Sequence, residues 1–219
     1  MIVLVGNTKG GVGKTTLAIN IAAARARAGS KVWLVDGDRQ QTALLAMTIR
    51  SENGTEPPIA CSLYPDGASL REQVKQQASG YDDVIIDAGG RDSTSLRAAL
   101  TLADVLVAPY APGSFDVWAL TDLDALVAEA QALRDGLRAY AVLNKAKPQV
   151  ASQDNADAAA AIEDVEHLDY LPAPLVSRTA FGNAAAVGVS VHDAPRADPK
   201  AVAELDRLTS AIFTQQGER

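Results

Sequence analysis

The run Lys9-Gly10-Gly11-Val12-Gly13-Lys14-Thr15-Thr16 constrains this chain more than any other part of it. It lies directly between a short apolar stretch, Ile2–Val5, and a segment with helical spacing. Glycines at 10, 11 and 13 let consecutive backbone N–H groups turn inward toward phosphate oxygens. The N-terminus of the following helix adds partial positive charge, Lys14 neutralises terminal phosphates, and Thr15 is placed to coordinate Mg²⁺. A turn that merely joins strand to helix has no use for these residue types at these offsets. Gly10, Gly11, Val12, Gly13, Lys14, Thr15 and Thr16 are therefore the expected nucleotide-binding residues.

The helix is expected from about Lys14 to Ala28, with Leu17, Ile21 and Ala24 on one face and Gly29 as its stop signal. Further β-branched runs recur at Val32–Val35, Val84–Ile86, Val105–Val107 and Ala139–Leu143, separated by alanine- and leucine-rich segments. Strands that alternate with helices point to an α/β fold, a mostly parallel β-sheet flanked by helices on both faces, because parallel neighbours need a long crossover. Binding sites of such sheets collect at the carboxyl ends of the strands. A length of 219 residues fits one domain over 1–219. Ser51–Pro58 reads as a loop and Ala156–Ala161 as helix interior. Ala201–Phe213 reads as a helix packed through Val202, Leu205, Leu208 and Ile212, with an acidic outer face that includes Glu204 and Asp206.

Composition excludes several classes of protein. The apolar run from Ala98 to Ala111 is broken by Asp104, and nothing approaches the ~20 residues that cross a bilayer. Met1–Val5 has no basic residues before it and a glycine turn after it, so it reads as a buried strand rather than a secretory signal, and a cytoplasmic location is expected. The single cysteine, Cys61, cannot form an internal disulfide or hold a metal cluster alone. A net charge of −7 argues against a surface that is basic everywhere, while permitting a local basic patch.

The phosphate loop departs from G-x-x-x-x-G-K-[ST] in one respect: Thr8 occupies the place of the first glycine, and a second lysine, Lys9, precedes Lys14 by five residues. This resembles the deviant Walker A motif of the P-loop NTPase family that includes ParA-type partition ATPases, MinD-type cell-division ATPases and nitrogenase iron proteins. The resemblance implies that Lys9 reaches across an ATP-dependent sandwich dimer to phosphates held by the other subunit. Asp36-Gly37-Asp38-Arg39-Gln40-Gln41 resembles the family's D-x-D-P-Q switch, with arginine at the proline position. It implies that Asp38 orients or deprotonates the attacking water and that Asp36 supports the Mg²⁺ shell, both carboxylates facing the phosphates.

Val84-Ile85-Ile86-Asp87, followed by Gly89-Gly90, has the form of a Walker B strand, which makes Asp87 the expected Mg²⁺ carboxylate. Asn144-Lys145 is followed by Lys147 where a guanine-selective N-K-x-D motif needs a carboxylate, which disfavours GTP. By resemblance, Asn144 is the candidate for adenine recognition. Val107–Asp116 resembles the P-x-x-P-S-x-x-D stretch that borders the family's dimer face. Arg178–Val191 resembles its R-x-x-[FY]-x-x-A-x-x-x-G-x-S-V stretch, so the likeness spans nearly the whole chain.

What the resemblance implies is a short ParA-type ATPase, using ATP and Mg²⁺, without an N-terminal operator-reading domain. Such an ATPase dimerises on ATP, binds DNA without sequence preference, associates with the nucleoid, and is released when a ParB-like or small centromere-binding protein stimulates hydrolysis. Arg178 is its first DNA-contact candidate, followed by Arg196, Lys200 and Arg207. Two alternatives remain: a MinD-like membrane-cycling ATPase, against which the weakly basic tail Thr214–Arg219 argues, and a P-loop metabolic ligase or synthetase. Stable membrane association is not expected, and a lone cysteine excludes an iron–sulfur reductase.

Overall fold

A computed structural model of the chain describes residues 1–90, 93–149 and 152–213, and for residues 114–119 the backbone only. Its described residues form one seven-stranded sheet in which every paired strand is parallel. The strands are β1 (Ile2–Val5), β2 (Val32–Gly37), β3 (Ala60–Leu63), β4 (Asp83–Ala88), β5 (Val105–Tyr110), β6 (Arg138–Leu143) and β7 (Asp169–Tyr170), in the order β3-β2-β4-β1-β5-β6-β7. All five strands read from the sequence are present, as β1, β2, β4, β5 and β6. Most run one to three residues further than their apolar runs, because β2 and β4 carry Asp36 and Asp87 as their penultimate residues.

Alternation of side chains along the strands divides the core in two. Val3, Val5, Ile85, Val105 and Val107 face a layer made by α1 (Lys14–Arg27), α2 (Thr42–Glu52), α7 (Thr179–Ala186) and α8 (Pro199–Phe213). Leu4, Ile86, Leu106 and Ala108 face the opposite layer of α3 (Gly67–Gln77), α4 (Thr94–Leu100), α5 (Ser114–Leu133) and α6 (Gln153–Ala160). Both faces of a parallel sheet are thus covered, which explains why its strands are apolar almost throughout. Leu17 and Ile21 of α1 are buried as their spacing predicts, and each such side chain contributes about 1.5–3 kcal/mol. The helix stops where glycine allows it, since Gly29 has φ +97°.

Three sequence expectations need revision. The loop expected from Ser51 starts at Asn53, because α2 runs on through Glu52. Strands β3 and β7 went unread, the first being a half-exposed edge strand of small residues and the second only two residues long. Glu204 is not on an outer face of α8: it is 5% exposed and points inward to Arg178. Among the described residues no helix is long and apolar enough to cross a membrane.

Candidate functional site

Chain direction reverses across β1. Its exit leads through α1 to β2 on one side, whereas β4, its neighbour on that side, sends the chain through α4 to β5 on the other. A crevice at the carboxyl ends of the strands is the consequence of such a reversal. A cleft of about 670 Å³ opens there, lined by Gly10, Gly11, Gly13, Lys14, Thr15, Thr16, Asp38, Gln40, Gly90 and Lys145.

The glycine loop is held from several directions. Gly11 and Gly13 have φ +77° and +95°, conformations that a side chain resists, and Gly13 directly precedes α1. Asn7, fully buried, donates through Nδ2 to the Pro109 carbonyl (2.8 Å), while its Oδ1 accepts from the Lys9 N–H (3.0 Å). Lys14 Nζ donates to the Lys9 carbonyl at 2.7 Å. Gly90 matters here because a Cβ on it would lie 3.3 Å from Lys14 Nζ.

Lys14 is 8% exposed, and burial lowers the pKa of its ammonium, with Asp87 and Asp38 acting against that fall. Asp87 lies one strand away from Asp36, the two being register partners on β4 and β2. Asp87 is 1% exposed, and neither carboxylate oxygen has a hydrogen bond of ordinary geometry. Burial pushes its pKa up to about 7; the Thr15 side chain and Lys14 oppose this, and Asp36 and Asp38 add to it. A buried carboxylate with two orphaned oxygens beside a phosphate loop fits a divalent cation, since Mg²⁺ takes one or two carboxylates, substrate phosphates and water.

The structure separates the two switch carboxylates. Asp38 lines the cleft, as expected. Asp36 is fully buried and is not among the residues that line the cleft: Oδ1 accepts from the Asp38 N–H and Oδ2 from the Leu44 N–H, both at 3.0 Å, which ties the end of β2 to the first turn of α2. Burial raises its pKa, and these backbone bonds oppose the shift. The turn carrying Asp38 is also braced from α4, where the fully buried Ser95 donates from Oγ to the Gly37 carbonyl at 2.8 Å.

A smaller pocket of about 160 Å³ joins the cleft at Gly13, Thr16 and Lys145 and is further lined by Asn144, Val176, Ser177, Arg178, Phe181 and Gly182. Asn144 is therefore beside the loop, and its Nδ2 donates to the Val12 carbonyl at 2.7 Å. A carbonyl only accepts, so the amide nitrogen must face it and Oδ1 is left as an acceptor. Arg178 is at the rim of this pocket, paired with Glu204 (2.8 Å) and Asp198 (3.4 Å), so its charge is matched within the chain. Arg196, Lys200 and Arg207 are exposed in the C-terminal segment, away from these lining residues. The side chains of Ser114, Phe115 and Asp116, and the tail Thr214–Arg219, lie outside the described residues.

Sequence reasoning missed Asn7, Ser95 and the structural use of Lys145. Asn7 had one legible signal, its place between Gly6 and Thr8 at the end of a strand, where a short amide can substitute for a backbone partner. Ser95 had none, because its partner, Gly37, is 58 residues away.

Comparison with known proteins agrees with this geometry. The family described as CobQ/CobB/MinD/ParA nucleotide binding domain matches residues 3–191. The maintenance of carboxysome distribution protein A of Halothiobacillus neapolitanus is 27% identical over 213 residues, covering 95% of this chain and 94% of that protein. The chromosome-partitioning ATPase Soj of Thermus thermophilus is 33% identical over 162 residues, covering 62% of this chain and 63% of Soj. An ATP complex of McdA from Cyanothece superposes with a TM-score of 0.77 at 18% identity, covering 96% of this chain and 95% of that one, and supports the fold. With its glycine loop, its crevice beside β1 and a family match over most of its length, the chain belongs to the ParA/MinD family of P-loop nucleotide-binding proteins.

Proposed function

We propose that the chain is a Mg²⁺-dependent ATPase of the ParA type, which dimerises around ATP, binds DNA without sequence preference and positions a cargo through partner-stimulated hydrolysis. The observation that carries this reading is the pairing of a buried lysine, Lys14, and a carboxylate, Asp38, in the lining of one cleft with a buried carboxylate behind it, Asp87, whose charge acts on Lys14 and whose oxygens have no hydrogen-bond partner of ordinary geometry. A ligase or synthetase needs a further substrate pocket, whereas in this reading the pocket of about 160 Å³ that joins the cleft is taken up by the base.

Hydrolysis joins a water oxygen to the γ-phosphorus and breaks its bond to the β–γ bridging oxygen, the water proton passing to Asp38 or to phosphate. Charge develops on the phosphoryl oxygens, so fixed donors and cations lower the barrier. Lys14 would leave the Lys9 carbonyl for the phosphates. Thr15 and Asp87 would hold Mg²⁺, which when bound neutralises phosphate charge; Asp36 acts on it through the turn it ties. Asn144 Oδ1 would accept from the adenine amino group, which guanine lacks at that position.

Lys9 would serve the opposing subunit. Lys9→Ala is accordingly expected to keep most ATP affinity and to lose ATP-dependent dimerisation; a mutant that still dimerises in light scattering refutes the trans role. DNA contact falls to Arg196, Lys200 and Arg207, with Arg178 the weakest candidate because its charge is matched by Glu204 and Asp198. DNA retention is expected to need ATP and to fall steeply between about 50 and 200 mM salt, as counterion release requires. Binding that ignores salt or ATP contradicts the reading. Burial of Leu205, Leu208 and Ile212 commits the apolar face of α8 to the core, which argues against a role in membrane binding. A phosphate-release assay with ATP alone, beside one with DNA and a ParB-like stimulator, tests the whole proposal.

A further inference from the structure

Two consecutive residues at the exit of β6 grip two consecutive carbonyls of the glycine loop. Asn144 Nδ2 donates to the Val12 carbonyl at 2.7 Å, and Lys145 Nζ to the Gly11 carbonyl at 2.6 Å. Lys145 does so from a left-handed backbone, φ +55°, which disfavours residues with a Cβ. Gly13 is shaped to the same contact: a Cβ there would lie 2.5 Å from Asn144 Nδ2. The loop and the end of β6 are thus fitted to each other across more than 130 residues of sequence.

Such a grip has a direct effect on the loop's donors. A trans peptide is planar, with its carbonyl and N–H pointing in opposite directions. Fixing the Gly11 carbonyl fixes the Val12 N–H, and fixing the Val12 carbonyl fixes the Gly13 N–H. The positive φ of Gly11 and Gly13 curls these successive peptides into the concave shape that binds anions. The bond from Lys14 to the Lys9 carbonyl is of another kind, because Lys14 would give it up on turning to phosphate, whereas Asn144 and Lys145 reach the loop from outside it, from the end of β6.

We propose that Lys145, together with Asn144, is a positioning residue for the phosphate loop, holding the Val12 and Gly13 N–H groups in their phosphate-binding orientation before nucleotide arrives. It follows that Lys145 acts on polyphosphate affinity and not on the choice of base. The proposal rests on the nucleotide reading of the cleft.

The test compares the unaltered protein, Lys145→Met and Lys145→Arg. Each is titrated with ATP, GTP and inorganic tripolyphosphate in the presence of Mg²⁺ by calorimetry, and amide hydrogen exchange over residues 10–16 is followed by NMR without ligand. Lys145 is exposed, so the methionine variant keeps its core. Lys145→Met is expected to weaken all three ligands by one common factor, about tenfold, and to speed exchange at Val12 and Gly13, with Lys145→Arg restoring both. A loss seen with the nucleotides and absent with tripolyphosphate places Lys145 against the nucleoside and overturns the proposal. A common loss with unchanged exchange means that Lys145 touches phosphate itself and overturns it as well. Failure of the unaltered protein to bind any of the three ligands refutes the nucleotide reading instead, while the exchange comparison still decides whether the grip exists.

Discussion

Asp87→Asn is expected to make the nucleotide-free protein harder to unfold at pH 8 and, at the same time, to remove the part of its stabilisation by ATP that depends on Mg²⁺. The reason is the state of the buried carboxylate, whose pKa burial pushes up to about 7. Below about pH 4 the group is protonated in the folded and unfolded chains alike, and its burial carries no charge penalty. Between there and pH 7 the unfolded chain releases the proton first, so the stability of the unaltered protein falls as pH rises, and above pH 7 the loss is complete. Roughly three pKa units correspond to about 4 kcal/mol. An asparagine without partners gives back about 1–3 kcal/mol of this. Urea midpoints at pH 5 and pH 8 should therefore diverge, the variant gaining on its parent at the higher pH. A variant that is weaker at both values contradicts the account of Asp87 as an uncompensated charge awaiting a cation.

Lys14→Ala is expected to abolish measurable ATP binding, a loss of a hundredfold or more. Charge-assisted hydrogen bonds contribute about 1.5–3 kcal/mol each, and Lys14 is placed to make more than one to the terminal phosphates. No neighbour replaces it. Lys9 lies on the far side of the loop's first glycine with its backbone held by Asn7, and Lys145 is engaged by the Gly11 carbonyl. Calorimetry decides the matter, and retained micromolar affinity would remove the loop from the account altogether. The two variants also separate two roles: Lys14→Ala should abolish binding of ATP with or without Mg²⁺, whereas Asp87→Asn should abolish only the Mg²⁺-dependent part.

Much of this site was legible because its parts are local. Lys9 through Thr16 form a continuous string whose glycines, lysine and helix start are chemically linked by spacing alone, and the apolar run ending in Asp87 announces a buried strand with a carboxylate at its exit. Asp36 and Asp38 were legible as a pair, yet their division of labour was not. Which of two carboxylates is consumed by backbone N–H groups depends on how the chain enters α2, and the pattern D-x-D leaves that open. Arg178 and Glu204 were read as separate surface charges because 26 residues intervene between them. Their pairing exists only once α8 has packed on the sheet, so the residue read first as a DNA contact has its charge matched by an internal ion pair at the rim of the smaller pocket. Strand β7 was missed for a related reason: two residues are too few to show a period, and its place at the sheet edge is set by pairing with β6.

The bond from Ser95 to the Gly37 carbonyl couples two chain reversals mechanically. One carries Asp38 and the other follows Asp87, and the hydroxyl joining them lies in the dry interior. Dragging either away alone would strand that carbonyl without a partner, at a cost of about 1–3 kcal/mol. Any displacement of the turn that carries Asp38 is therefore transmitted to the base of α4, in the helical layer on the opposite face of the sheet.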